Sequence, residues 1–113
     1  MNQSAIQRKP LLAAELNNPR VTSVDVREIT LAAGQQTGLH VHPCAVFGYI
    51  VSGTALFQIN GQPAQTLQAG SAFHEPAEAV IAQFSNASKD LPLTFIAFYL
   101  KDGEQELIKM LDK

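Results

Sequence analysis

Residues 34–53 read GQQTGLHVHPCAVFGYIVSG, and their pattern decides the fold. His40 and His42 stand two apart in an extended segment that ends at Pro43. Side chains alternate faces along a strand, so both imidazoles point the same way. Two such nitrogens are a natural grip on a transition metal. The same pair is also satisfied without metal, because a neutral histidine donates from one nitrogen and accepts on the other. Both readings are open on these residues alone.

Working outward, the chain reads as a series of short strands. Residues 54–59 alternate, with Ala55, Phe57 and Ile59 on one face. Asn60-Gly61 follows, a hairpin signal that predicts a type I′ turn and a returning strand at 64–67. Further strands are expected at 71–75, 79–84 and 93–100. Upstream, residues 21–31 are rich in β-branched residues, but their alternation slips phase between Val26 and Ile29. The slip predicts a bulge or burial of both faces. Residues 5–14 form a further strand, which Pro10 confines to an edge. Asp102 with Gln105 makes a capping-box pattern, and Leu107, Met110 and Leu111 share a helical face. These predict a short C-terminal helix at about 103–112. Many strands and one helix indicate an all-β sandwich or barrel.

The 113 residues make a single domain, long enough to bury roughly 65% of the unfolded chain's surface. Charged residues are only 16%, below the usual ~25%, which suits a chain that covers apolar surface with a partner. A formal net charge of −2 gives no footprint for nucleic acid or an anionic membrane. One cysteine, Cys44, excludes an internal disulfide. With no long apolar run and no signal-peptide pattern, a cytoplasmic protein is expected. No Ser-His-acid set, paired carboxylates or phosphate loop is legible.

Residues 34–53 resemble the first conserved motif of the cupin superfamily, with Gly34, His40, His42 and Gly53 in place. Residues 70–86, GSAFHEPAEAVIAQFSN, resemble its second motif through Gly70, Pro76 and Asn86. The resemblance covers about residues 24–100 and is to the small single-domain, conserved-barrel type. It implies a jelly-roll-like antiparallel β-barrel of two facing sheets. It also implies a lumen site for a divalent metal such as zinc, manganese, iron or nickel. Two departures bear on that site. The family's motif-one glutamate aligns with Val46, and its motif-two histidine aligns with Ile81.

Glu75 shares strand parity with Phe73 and is the residue that can complete a two-histidine, one-carboxylate set with His40 and His42. Otherwise it is a rim side chain bonded to loop backbone. His74, of opposite parity, is expected outward or against a partner. Cys44 is either a third soft ligand or a small buried hydrophobe. Val46, Phe57, Phe73, Ile81 and Gln83 are the expected pocket-lining residues. The function expected is metal-assisted binding or conversion of a small organic molecule. The alternative is a metal-free ligand-binding or structural cupin dimer that has lost catalysis. Residues 93–100 are apolar on both faces, and small cupins form dimers. A homodimer with residues 5–14 in the contact is therefore expected.

Overall fold

A computed structural model describes residues 6–17 and 20–111. Burial alternates with a period of two along its strands, as expected where one face is covered. The strands are β1 (Ser23–Leu31), β2 (His40–Val41), β3 (Ala45–Ser52), β4 (Thr54–Ile59), β5 (Gln65–Gln68), β6 (Ala72–Glu75), β7 (Val80–Asn86), β8 (Leu93–Lys101) and β9 (Lys109–Met110). They form two sheets, β1-β8-β3-β6 and β5-β4-β7-β2-β9, and every pairing is antiparallel. No ladder among the described residues joins the edges of one sheet to the other, so the molecule is an open two-sheet sandwich rather than a closed barrel.

Between the sheets lie Val46 and Ile50 of β3, Ala55 and Phe57 of β4, Phe73 of β6, Ile81 and Phe84 of β7, and Leu93, Phe95 and Ala97 of β8. Four phenylalanines occupy the middle. The ring of Phe84 is 4.7 Å from Phe95, 4.9 Å from Phe73 and 5.7 Å from Phe57, all tilted as aromatic pairs prefer. Gly48 makes this possible: a Cβ there would lie 2.1 Å from Cζ of Phe73. At Gly53 the chain passes from one sheet to the other with φ of 91°, and a Cβ would strike the Pro92 carbonyl at 2.6 Å. Asn86 anchors the far end by donating to the carbonyls of Leu31, Ala32 and Leu91.

Several expectations change. β1 pairs with β8 from Ser23–Lys101 to Leu31–Leu93 without a bulge. Its phase slip instead reflects Val24 and Val26 on the exposed outer face and Ile29 and Leu31 on the inner one. At the 60–61 turn only Gly61 has positive φ, and Gln62 N–H donates to Ile59. That is a type II arrangement within a longer loop, not a type I′ hairpin. Residues 6–14 pair with no described strand of this chain and are exposed, while Ala5 lies outside the described residues.

The expected C-terminal helix is absent among the described residues. Gln105 does accept the Asp102 N–H, but Gly103 turns the chain with φ of 68°. A segment this short does not hold a helix by itself. Leu107 packs against the core instead, and Lys109–Met110 adds to β2 as an edge strand. Residue 112 lies outside the described residues.

Candidate functional site

Three polar side chains meet at one end of the sandwich. β2 carries His40, and His42 follows directly; β6 carries Glu75 on the facing sheet. All three are buried, at 2%, 5% and 3% exposure. Their ligand atoms lie within 4.8 Å of one another. Nε2 of His42 is 2.6 Å from Oε1 of Glu75, and Nε2 of His40 is 3.8 Å from the same oxygen. The imidazoles stand nearly perpendicular, with centroids 4.9 Å apart.

The backbone sets the tautomers. Nδ1 of His40 is 2.7 Å from the Gly38 carbonyl, and Nδ1 of His42 is 2.7 Å from the Leu107 carbonyl. A carbonyl only accepts, so each Nδ1 is the donor. In a neutral ring this leaves Nε2 as a bare lone pair. Two such nitrogens then face a carboxylate oxygen that, despite the short contact, has no hydrogen-bond partner, since neither bare nitrogen can donate to it. Three acceptors converging in a buried place require a cation or a proton between them. Backbone carbonyls holding Nδ1–H are also what orients metal-ligating histidines. The donor set therefore fits a divalent metal, with coordination positions left open.

Without metal, the proton is the remaining choice. Burial opposes charge on His42, but the Glu75 carboxylate beside it and the Leu107 carbonyl outweigh that and raise its pKa. Burial likewise opposes charge on Glu75, yet the two imidazoles hold its pKa below the usual 4.5. Burial, then the charge of Glu75, pushes the Tyr99 hydroxyl up, so it stays protonated.

The three side chains open on a cavity of about 160 Å³. Its remaining wall is Ile29, Thr37, Val46, Phe84, Phe95, Ala97, Tyr99 and Ile108. Of the expected lining residues, Val46 is there. Phe57, Phe73 and Ile81 are not: they are buried in the packed interior, because the four phenylalanine rings fill the space below the site. Gln83 instead donates to Gln58 on the neighbouring strand at 3.2 Å. Ile81 lies beside His40 as its cross-strand partner.

Cys44 is 2% exposed and packs in the core cluster, outside the converging donors. His74 points to the opposite side of β6, stacks on Phe47 at 4.3 Å and reaches the Val46 carbonyl with Nδ1 at 3.1 Å. Both border a wider cleft of about 370 Å³ with Glu15, Arg20 and Asp102, which contains none of the three donors. There Arg20 is engaged by Asp102 at 3.4 Å.

Sequence reasoning did not single out Tyr99, Thr37 or the 107–108 tail. Tyr99 was findable, since it shares parity with Phe95 and Ala97 on β8. The tail carried no such signal, because it read as helix.

A family model described as Cupin domain matches residues 27–99. No curated protein matches the chain. Among solved structures, a cupin-like protein from Thermotoga maritima is 23% identical, with a TM-score of 0.67 over 78% of this chain and 64% of that one. A DMSP lyase, DddQ, from Ruegeria pomeroyi is 22% identical, with a TM-score of 0.67 over 78% of this chain and 43% of that one. A conserved protein with a double-stranded β-helix domain from Klebsiella pneumoniae is 21% identical, with a TM-score of 0.67 over 83% and 80%. The chain thus spans less than two thirds of the first two. At these identities the likeness speaks for the fold.

Proposed function

The chain belongs to the cupin-domain family, and from that premise we propose that it holds one divalent cation on His40, His42 and Glu75 and binds or converts a small organic molecule there. The observation that carries this is the commitment of both Nδ1 atoms to backbone carbonyls. Both Nε2 lone pairs are thereby aimed at the partnerless carboxylate oxygen. Such a cation supplies Lewis acidity toward an oxygen of the bound molecule, or a place for dioxygen. His40 and His42 contribute nitrogen donors held in one tautomer, and Glu75 contributes the negative charge. Val46, Phe84, Phe95 and Ala97 give the space beside them apolar walls. Family membership does not choose a reaction.

A second reading has its own support. His42 and Glu75 also make a self-sufficient imidazolium–carboxylate pair, and Val46 and Ile81 stand where the family has ligands. That reading is a metal-free pocket for a small ligand. Elemental analysis of tag-free protein, dialysed and then loaded with zinc, manganese, iron or nickel, decides between them. About one ion per chain, lost in His40→Ala and Glu75→Gln, supports the metal site. No uptake from any of the ions removes it and leaves the metal-free pocket.

The same reading includes a homodimer. The outer face of the β1-β8-β3-β6 sheet exposes Val24, Val26, Tyr49 and Phe98, and residues 6–14 are exposed and pair with no described strand, which supports this. Sedimentation equilibrium at micromolar concentration tests it: a mass of one chain, 12.2 kDa, rules it out. A cytoplasmic location, where a lone cysteine stays reduced, goes with this proposal. No helix among the described residues is long and apolar enough to cross a membrane.

A further inference from the structure

The cavity beside the three donors is small, and apart from Oε1 of Glu75 its wall holds one buried polar atom without a partner, the Thr37 hydroxyl. At about 160 Å³ it is close to the roughly 150 Å³ apolar cavity that accommodates benzene, and well below the ~300–1,000 Å³ of drug-sized sites. Its body is Ile29, Val46, Phe84, Phe95, Ala97 and Ile108, all apolar. In that wall lies Thr37, whose hydroxyl oxygen is shut off from solvent and has no hydrogen-bond partner. A buried hydroxyl left unpaired is costly, and such a group in a cavity wall discriminates strongly when a ligand supplies the missing partner.

Charge narrows the ligand further. A divalent ion on two neutral imidazoles and one carboxylate keeps one positive charge. In a pocket with apolar walls that charge calls for a single negative charge on the ligand.

We propose that the pocket takes a compact monocarboxylate of roughly six to ten non-hydrogen atoms. Its carboxylate sits at the His40/His42/Glu75 end, its middle is apolar, and a second oxygen function is selected by Thr37. This rests on the cation site proposed above for the position of the carboxylate. Thr37 is the specificity-determining residue, because its hydroxyl is the one in the cavity wall that is sealed from solvent without a partner; the other hydroxyl there is that of Tyr99. It acts on which acid binds and takes no part in holding the ion.

Isothermal titration calorimetry with matched pairs of acids tests this. Butyrate, valerate and benzoate are compared with ω-hydroxybutyrate, ω-hydroxyvalerate and meta- and para-hydroxybenzoate. Each is titrated into zinc- and manganese-loaded protein whose metal content has been measured. At least one hydroxylated acid is expected to bind about fivefold or more tightly than its parent, the worth of one net hydrogen bond. Thr37→Val, which keeps the shape, abolishes that preference, whereas Thr37→Ser retains it. Circular dichroism and metal content confirm that both variants are folded and loaded.

Loaded protein that binds each pair equally, or a preference that survives Thr37→Val, overturns the inference and leaves the cation site standing. Protein that takes up no metal overturns the cation site instead. The same titrations on that protein still decide the role of Thr37: a Thr37-dependent preference upholds it, and equal binding overturns it.

Discussion

Val46 and Glu75 are direct cross-strand partners on the inner face of one sheet. By the motif resemblance Val46 takes the place of the motif-one glutamate, and the carboxylate that meets the histidines here comes from the neighbouring strand, about 5 Å away across the ladder. His42 then meets it at 2.6 Å. The position emptied by valine is part of the cavity wall.

Moving the carboxylate back is therefore expected to preserve the site. Glu75→Gln removes the negative charge and is expected to lower metal occupancy at equimolar loading to background. Val46→Glu combined with Glu75→Val is expected to restore about one ion per chain. Elemental mass spectrometry on the dialysed variants checks both, and a double variant that stays empty refutes the relocation.

The Leu107 carbonyl holds the Nδ1–H of His42 at 2.7 Å from a tail that pairs with β2 over two residues only. Outer partners of this kind are typically worth about 10–100-fold in metal affinity. Ending the chain at Glu106 is expected to weaken metal binding by that factor. Competition against a fluorescent chelator measures it, with circular dichroism confirming that the sheets remain.

The metal-free chain is expected to have a pH optimum of stability. His42 has its folded pKa raised above the ordinary 6.5, so its contribution is full below 6.5 and is lost as pH rises through the folded value. Glu75 has its folded pKa lowered below 4.5, so its contribution is full above 4.5 and is lost as pH falls through the folded value. Both are present together between 4.5 and 6.5. Urea denaturation of chelator-treated protein across that range reads the profile. Glu75→Gln is expected to flatten both limbs.

Of the glycines, Gly48 leaves the least room for a side chain, because the Phe73 ring lies over it. Gly48→Ala is expected to cost about 1–3 kcal/mol by overpacking. Phe73→Leu in the same chain relieves the collision, so the double variant is expected to be more stable than the sum of the two single effects. Urea midpoints of the four chains give the coupling.

Much of the fold is legible one residue at a time. Strand alternation put His40 and His42 on one face, placed Phe73 and Glu75 together, and located the strands on either side of Gly53. Those are local properties, set by a side-chain period of two. The C-terminal segment is where local reading failed. Asp102 and Gln105 do bond as a capping pattern predicts, but the apolar Leu107 gains more by packing on the sandwich than a lone helical turn can offer. Phe57, Phe73 and Ile81 do point inward and are buried, but none of them borders the cavity. Inward parity does not say whether the neighbours leave room, and here four rings close the space.

The sequence by itself determined the all-β class and put His40 and His42 on one face, because spacing and parity are written along the chain. Only the tertiary structure decided that Glu75 meets the two histidines across the sandwich. The same holds for the Leu107 carbonyl setting the tautomer of His42, and for the cavity shrinking to a small space beside Thr37. Each of these depends on cross-strand register and on packing between distant segments, and those are fixed only when the sheets close over a common core.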